Sequence, residues 1–287
     1  MNLERCHQPV MKWITALLGL ALLCHQLLLW GRLSFDELRF GTLCAAVLVA
    51  LVWEKRQALA WESGPAFTLA GLALIAFALI RGFGQPGTLF ATVAPVIWGL
   101  GFALLVSGFR GVGQFWKEAI VLAAVVLTPL IETLALDLAG VDFAPATAQT
   151  TAYLLRIAGW NASAHDVFVW LPTAWIVVSQ GCSGLKTMYF LVGFALLVLL
   201  LFPVPGLARK LAVLAGATVI GFLVNAVRVA MLAVLTTPEH RDAFKFWHIQ
   251  QGAMLFETVA VVAFLAFFCA VLPDRPARLL VTPASRK

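Results

Sequence analysis

Charged residues are scarce in this sequence of 287 residues: they make up only 12% of the chain, whereas about a quarter is usual for a soluble domain. Hydrophobic residues make up 62% of the chain, and the mean hydropathy is +0.94. So few polar side chains cannot cover a core of this size in water, which excludes a soluble globular protein. The same composition excludes a disordered chain and a nucleic-acid-binding module, so no nucleic-acid partner is expected.

Cysteines are few and show no paired spacing. The chain has five of them, Cys6, Cys24, Cys44, Cys182 and Cys269, and no Cys-x-x-Cys motif. Their odd number and wide separation predict neither a disulfide framework nor a metal site, and we expect no cofactor. Cys24, Cys44 and Cys269 lie within long apolar runs and are interpreted as packing residues.

Long apolar runs are what the sequence has in abundance. A membrane-spanning helix needs about 20 mostly apolar residues, and eight windows meet or nearly meet this requirement. These windows cover residues 13–30, 38–53, 66–80, 89–107, 115–136, 184–202, 210–235 and 251–272. The sequence therefore predicts an all-α polytopic membrane protein with about eight transmembrane helices, surrounded by membrane lipids.

The windows predict a single integral membrane domain over residues 1–287, with no internal repeat. Its predicted parts are five N-terminal spans (1–136), an extracytoplasmic segment (137–181), a three-span core (182–272) and a basic tail (273–287). In the extracytoplasmic segment, apolar residues at helical spacing over 147–160 predict a short amphipathic helix at the membrane surface. Residues 167–178 are rich in Val, Ile, Phe and Trp on both sides of a central Pro172, which predicts a β-hairpin.

The basic residues predict the orientation of the spans. Eight spans place both termini on one side of the membrane, and twelve of the 20 Lys and Arg residues then fall on that side. Six fall on the other side, and two, Lys186 and Arg228, lie within spans. Because cytoplasmic loops carry an excess of Lys and Arg, this two-to-one ratio predicts that both termini are cytoplasmic.

Arg228 is the clearest candidate for a functional residue, because an ionisable side chain within a membrane span is energetically costly. It lies about seven residues before the outer end of the seventh window, which corresponds to a depth of roughly 10 Å. Asn225 lies one helical turn earlier on the same face and adds a second donor. A purely structural role, in which Arg228 ties helices together through a carboxylate, is the alternative.

Cys182 lies at the outer start of the sixth window, within the segment Ser-Gln-Gly-Cys-Ser-Gly-Leu. The positive end of a helix dipole favours the thiolate that nucleophilic attack requires, and Lys186 one turn later adds to that field. Gly184 allows a substrate backbone to approach closely, and nearby backbone N–H groups can stabilise an oxyanion. A small buried packing residue is the alternative interpretation of this cysteine.

His248 lies at the outer start of the eighth window, so the predicted topology brings Cys182, Arg228 and His248 to the same side of the membrane. A cysteine nucleophile needs a nearby base, and histidine is the usual one near neutral pH. His240 in the same loop is an alternative base. Three consecutive spans thus deliver a nucleophile, a cation and a base to a similar depth.

Three short motifs resemble those of the exosortase and archaeosortase family. They are Cys-Ser-Gly at 182–184, Asn-x-x-Arg at 225–228 and His-x-x-x-Gly at 248–252, in the family's order and in an eight-span chain. The resemblance covers roughly residues 167–272 by motif and the first five spans by hydropathy alone. Histidine in the third motif is similar to the exosortases, whereas archaeosortases commonly have arginine there.

The resemblance implies a membrane-embedded cysteine peptidase and transpeptidase of the inner membrane, with its active site on the extracytoplasmic side. Its substrates would be exported proteins with a C-terminal sorting signal: a short motif such as that of the PEP-CTERM type, a transmembrane helix and a basic tail. The acyl group would pass to water or to an acceptor such as a lipid or a polysaccharide. Cys182 would be the nucleophile, His248 the general acid and base, and Arg228 the residue that stabilises the oxyanion or orients the thiolate.

Five further residues are predicted to support this site or to bind substrate: Asn225, Ser183, Gly184, Lys186 and Gly252. A transporter or channel with an intramembrane arginine is the alternative function. That class predicts repeat symmetry or matched broken helices near the midplane, and the sequence shows neither convincingly.

Overall fold

The computed structural model describes residues 3–33, 35–61, 63–84, 87–133, 142–248 and 250–271. These residues are mostly helical, as expected for a chain with long apolar runs. They divide into two compact units, Met1–Pro129 and Leu130–Lys287. The basic tail predicted for 273–287 lies outside the described residues.

The N-terminal unit is built from helices that match the first five predicted windows. Its elements are α1 (Leu3–Leu33), α2 (Phe35–Lys55), α3 (Pro65–Phe83), α4 (Thr88–Gly111), a 3₁₀ turn (Val112–Phe115) and α5 (Trp116–Thr133), the last of which runs slightly past the boundary between the units. Pro65 at the first helical position of α3 suits a helix start, because the missing N–H has no partner there in any case.

Polar contacts hold helices of the N-terminal unit together at two places. Lys55 Nζ donates to Glu118 Oε2 at 2.7 Å, which joins the end of α2 to the start of α5. Gln26 Nε2 donates to the carbonyl oxygen of Ala91 at 2.8 Å, and Trp98 Nε1 donates to Gln26 Oε1 at 3.3 Å. Because a buried amide is costly without partners, this buried glutamine fixes α1 against α4.

The C-terminal unit contains the remaining helices and a small sheet. Its elements are α6 (Ala144–Ile157), β1 (Ser163–His165), β2 (Phe168–Trp170), β3 (Trp175–Val177), a 3₁₀ turn (Gln180–Cys182), α7 (Leu185–Leu201), α8 (Leu207–Val234), a second 3₁₀ turn (Pro238–His240), α9 (Arg241–His248) and α10 (Gln250–Val271). The sheet is antiparallel throughout, in the order β1–β2–β3.

The C-terminal unit has two apolar cores. In one, α6 and the sheet pack on the C-terminal part of α8, through small residues such as Ala148 and Ala152 together with Val169 and Val229. In the other, α7, α8 and α10 pack through Leu191, Ala217 and Phe264, among others. The alanines of α6 allow the helix to approach the sheet and α8 closely, which positions the loop that leads into α7.

Membrane-spanning character is clear for five stretches, judged by length and composition. They are Trp13–Arg32, Pro65–Phe83, Thr88–Leu127, Leu207–Val234 and Met254–Val271. The protein is therefore a multi-pass membrane protein. Helix α7 is apolar but has only 17 residues, about 26 Å at 1.5 Å per residue. Helix α2 is not among the five, so the number of spans stays a prediction.

The segment before α7 is confirmed as a helix followed by strands, with two corrections. The predicted helix is α6, but it buries a face of small residues and leaves Tyr153 and Ile157 exposed. The predicted hairpin is β2 and β3, and a third strand, β1, joins it. Three residues, Ser-Ala-His, are too short and too poor in β-branched residues to predict β1 locally; pairing with β2 stabilises it.

Candidate active site

Cys182 ends the 3₁₀ turn that precedes α7, and its position is fixed through the backbone. Its N–H donates to the carbonyl oxygen of Ser179 at 2.8 Å, which closes the turn. Its own carbonyl oxygen accepts a 2.8 Å hydrogen bond from Asn225 Nδ2, on the facing helix α8. The cysteine is half-buried. Asn225 is buried, so this hydrogen bond holds the turn firmly against α8.

Helix α6 holds the same turn from another side. Thr147 Oγ1 donates to the carbonyl oxygen of Ser183 at 2.7 Å, and Thr151 Oγ1 donates to that of Ala226 at 3.4 Å. Both threonines are fully buried. Ser183 is buried as well, and its hydroxyl donates to the carbonyl oxygen of Gln180 at 2.7 Å. The structure thus gives Ser183 a role in holding the turn.

His248, the last residue of α9, lies next to the cysteine. Its Nε2 is 3.8 Å from Cys182 Sγ, within hydrogen-bonding reach for sulfur. Its ring stacks on that of Phe244 one turn earlier, with 5.2 Å between ring centroids. His240, the alternative base, instead places its Nδ1 2.8 Å from the hydroxyl oxygen of Thr237. The distance to the thiol therefore favours His248 as the partner of Cys182.

Gly252 explains how α9 can bring His248 to that position. A Cβ atom at Gly252 would lie only 2.4 Å from Trp247 Cα and 2.7 Å from the carbonyl oxygen of Phe246. These are backbone atoms that cannot move aside cheaply. Glycine here, four residues after His248, allows α9 to fold tightly over the first turn of α10.

Arg228 reaches the same place from α8. Its Nη2 donates to the backbone carbonyl oxygen of His248 at 3.1 Å, so the arginine holds the end of α9. Its Nε is buried and has no hydrogen-bond partner among the described residues. A buried donor without a partner is costly. Arg228 is therefore held by one hydrogen bond to the backbone of His248 and leaves one buried donor unsatisfied in the part of the chain that the structure describes.

A comparison with family models identifies the family of this chain. The family model for the transmembrane exosortases matches residues 30–265, a region that includes Cys182, Arg228 and His248. The chain belongs to the transmembrane exosortase family. No curated protein and no solved structure matches it. The exosortase family implies, in general terms, a membrane cysteine peptidase or transpeptidase.

The environment of His248 in this exosortase lowers its pKa below the ordinary value. Partial burial is the larger cause, because it disfavours the charged imidazolium, and the positive charge of Arg228 lowers the pKa further. The imidazole is therefore neutral at pH 7. A neutral imidazole beside a thiol can accept its proton.

The remaining predicted residues of this exosortase are Lys186 and the three cysteines of the apolar runs. Lys186 is exposed on the first turn of α7. Cys44 is buried as expected, but the interpretation of Cys24 and Cys269 as packing residues is wrong, because both are exposed on the surfaces of their helices. In the described ranges, no group of three or more His, Cys, Asp or Glu side chains could hold a metal ion.

Three residues of the site were missed by sequence reasoning. Thr147 and Thr151 lie four residues apart on an alanine-rich face of α6, and two hydroxyls at helical spacing on a small-residue face are a usable signal for hydrogen bonding across helices. Phe244 precedes His248 by four residues, which is the spacing of stacked neighbours on a helix. Its effect on the histidine depends on a helix that the sequence did not predict.

Gly184 offers a test of how the turn is positioned. It has φ of 87°, and a Cβ atom there would lie 2.9 Å from Asn225 Nδ2. We expect Gly184→Ala to displace the amide that holds Cys182 and to lower the cleavage rate by about tenfold to a hundredfold. Gly206 is the matched control, because it also precedes a helix with positive φ, 84°, but has open space around it.

Both alanine variants force a side chain into a positive-φ backbone, with ψ of −7° at Gly184 and 140° at Gly206, at a cost on the order of 1–3 kcal/mol each. Thermal unfolding in detergent should therefore show a loss of stability for both Gly184→Ala and Gly206→Ala. Only Gly184→Ala should lose activity. Equal activity of the two variants would show that Asn225 does not position the cysteine through this contact.

Proposed function

We propose that this exosortase cleaves the C-terminal sorting signals of exported proteins through a thioacyl intermediate on Cys182. The observation that carries the proposal is the 3.8 Å approach of Cys182 Sγ and His248 Nε2, with Arg228 bonded to the backbone of the same histidine. A nucleophile, a base and a cation with an unused donor are the groups that acyl transfer requires.

The first half of the reaction transfers the acyl group to the enzyme. Neutral His248 accepts the proton of the Cys182 thiol, and the thiolate attacks the carbonyl carbon of the scissile peptide. The Arg228 Nε–H donates to the oxyanion that forms on the carbonyl oxygen. The imidazolium then gives its proton to the leaving nitrogen as the carbon–nitrogen bond breaks. A thioester on Cys182 and a released C-terminal segment are the products.

The second half releases the acyl group. Neutral His248 takes a proton from a hydroxyl, an amine or water, and that nucleophile attacks the thioester carbonyl. The carbon–sulfur bond breaks, and the imidazolium returns its proton to the thiolate. Water gives hydrolysis, whereas a lipid or polysaccharide acceptor gives transfer and surface anchoring.

The distribution of basic residues supports a site on the extracytoplasmic side of the inner membrane. Twelve of the 20 Lys and Arg residues fall on the side that contains both termini, and six fall on the other. In this proposed orientation the starts of α7 and α10 face outwards, and the substrate reaches the site after export.

An apolar cleft supports binding of the substrate's transmembrane helix. It has a volume of about 280 Å³. Its lining residues are Leu154, Leu155, Ala158 and Trp160 from the α6 region, and Val227, Ala230, Met231 and Val234 from α8. Helix α8 thus carries Arg228 and one wall of the cleft. Apolar side chains of a substrate helix would be held there while the scissile peptide lies at the cysteine.

The function is tested by co-expression with an exported protein from the source organism that ends in a short motif, one apolar helix and a basic tail. We expect the enzyme to convert this protein into a shorter form that lacks the helix and the tail. Mass spectrometry of the shorter form locates the cleaved bond. A substrate that stays full length at normal enzyme levels would contradict the proposal.

The pH dependence of cleavage tests the role of His248 as the base. Because its pKa is lowered, the neutral form persists below pH 6.5, and the rate should decline only as the pH falls through that lowered value. Phe244→Ala uncovers the imidazole, which weakens the desolvation and raises the pKa. We therefore expect the acid limb of kcat/KM to move to higher pH in Phe244→Ala.

Phe246→Ala is the matched control for this pH profile. Phe246 lies on the same helix, but its ring packs on Trp247 instead of His248. The acid limb of kcat/KM in Phe246→Ala should coincide with that of the wild type. An unchanged limb in Phe244→Ala, with normal enzyme levels, would show that another group controls the acid side of the profile.

A further inference from the structure

The strand β3 has a free edge that leads directly to the nucleophile. The sheet order is β1–β2–β3, so β3 pairs with β2 on one side only. The hydrogen bonds Leu171 N–H to Ala174 O and Val178 N–H to Val167 O, both 2.8 Å, fix which residues of the two strands bond to each other. By the alternation of an antiparallel ladder, Trp175 and Val177 direct their N–H and C=O groups away from β2.

Both residues that carry these outward groups are exposed. Trp175 is 52% exposed and Val177 is 40% exposed. Among the described residues, no backbone hydrogen bond outside the sheet involves either of them. The opposite face of the sheet packs on α6 through Val169 and Ile176, so the strand itself is held rigidly. A rigid strand with an open row of donors and acceptors is a template for an added strand.

The edge is continuous with the candidate active site. Cys182 follows Val177 by five positions in the sequence, so the two are at most about 18 Å apart even if the chain were fully extended. The 3₁₀ turn at Gln180–Cys182 shortens this distance further. A peptide of about five extended residues can therefore span from β3 to the thiol.

We propose that the substrate segment just before the scissile bond binds as an added strand along β3. This inference rests on the proposed cleavage of sorting signals. The substrate's transmembrane helix follows the cleaved bond, so the segment before that bond must approach Cys182 with its C-terminal end. Since β3 also runs toward Cys182, the added strand is parallel to β3. Its backbone pairs with Trp175 and Val177, which gives affinity with little dependence on side chains.

Val177→Pro tests the pairing, because it removes one outward N–H and places the proline ring on the edge, where a strand tolerates proline. We expect KM for the exported substrate to rise about tenfold or more with little change in kcat. Alkylation of Cys182 by iodoacetamide should keep its wild-type rate. Val177→Thr, which retains the N–H, should raise KM far less than Val177→Pro does.

Ala164→Pro is the control for proline in this sheet, because the N–H of Ala164 is directed to the outer edge of β1, as that of Val177 is directed to the outer edge of β3. It should leave KM unchanged. An unchanged KM in Val177→Pro, or the same rise in KM in Ala164→Pro, would overturn the proposal. Failure of the wild type to cleave any sorting signal would instead contradict the proposed function.

A synthetic peptide with the sequence of the substrate segment gives a second test that does not depend on a folded variant. N-methylation of its backbone amides removes one donor at a time. If the peptide forms a strand on β3, methylation at every second position should abolish its inhibition of wild-type cleavage, and methylation at the intervening positions should not. Equal effects at all positions would overturn the proposal.

Discussion

Replacing Cys182 with alanine should abolish cleavage of the sorting signal. The thiol is the only part of the proposed mechanism that forms a bond to the substrate, and its loss leaves His248 without a nucleophile to activate. We expect the rate to decrease by a factor on the order of 10⁴ or more, to the detection limit. The measurement is the fraction of the co-expressed exported substrate that loses its C-terminal helix and tail.

Cys269→Ala is the matched control for this variant. Cys269 is also a free cysteine in the C-terminal unit, but it is exposed on α10 near the far end of that helix. The Cys269→Ala variant should process the substrate at the wild-type rate. Normal processing by Cys182→Ala would contradict the assignment of the nucleophile. A transporter, the alternative class, would retain its activity in both variants.

The apolar runs predict the helices well because each run is long enough to specify its own structure. All eight windows coincide with a helix, from α1 to α10, with α6 and α9 as the additional ones. Helix α9 was not predicted, since Arg241–His248 has eight residues and mixes charged with aromatic side chains. Its conformation depends on packing over Gly252, and such a contact cannot be inferred from local periodicity.

The proximity of the three principal candidate residues, Cys182, Arg228 and His248, could be predicted for a topological reason. Alternating spans place the start of α7, the end of α8 and the start of α10 on one side, so the reactive side chains at those helix ends lie at a similar depth. Depth alone does not determine which face of each helix turns toward the others. The hydrogen bond from Asn225 to the carbonyl oxygen of Cys182, and that from Arg228 to the carbonyl oxygen of His248, are therefore features that only the folded chain provides.

The contacts of Ser183 and Gly184 in the folded chain change the interpretation of these two supporting residues. The sequence predicts that Ser183 and Gly184 support the site or bind substrate, and that Gly184 allows a substrate backbone to approach closely. In the folded chain Ser183 is buried under α6, and Gly184 leaves space for Asn225. Two of the three residues of the Cys-Ser-Gly motif thus hold the turn in place. We infer that variants at these two positions act through the placement of the thiol.

Arg228→Lys should separate the two roles that the arginine can play. The guanidinium bonds the carbonyl oxygen of His248 through Nη2 and keeps its Nε–H without a partner. A lysine retains the positive charge but has a single nitrogen at its end, so it cannot occupy both positions. If the Nε–H stabilises the oxyanion, we expect kcat to decrease by about 10²–10³-fold with little change in KM.

The reactivity of Cys182 distinguishes this role from an effect of charge. Alkylation of the thiol by iodoacetamide needs no oxyanion, so Cys182 in Arg228→Lys should be alkylated at the wild-type rate. Arg209→Lys, exposed at the start of α8, controls for the substitution itself and should keep the wild-type kcat. If Arg228→Lys keeps more than half of the wild-type kcat, the arginine acts through its charge, and the backbone N–H groups of the turn at Cys182 become the remaining donors for the oxyanion.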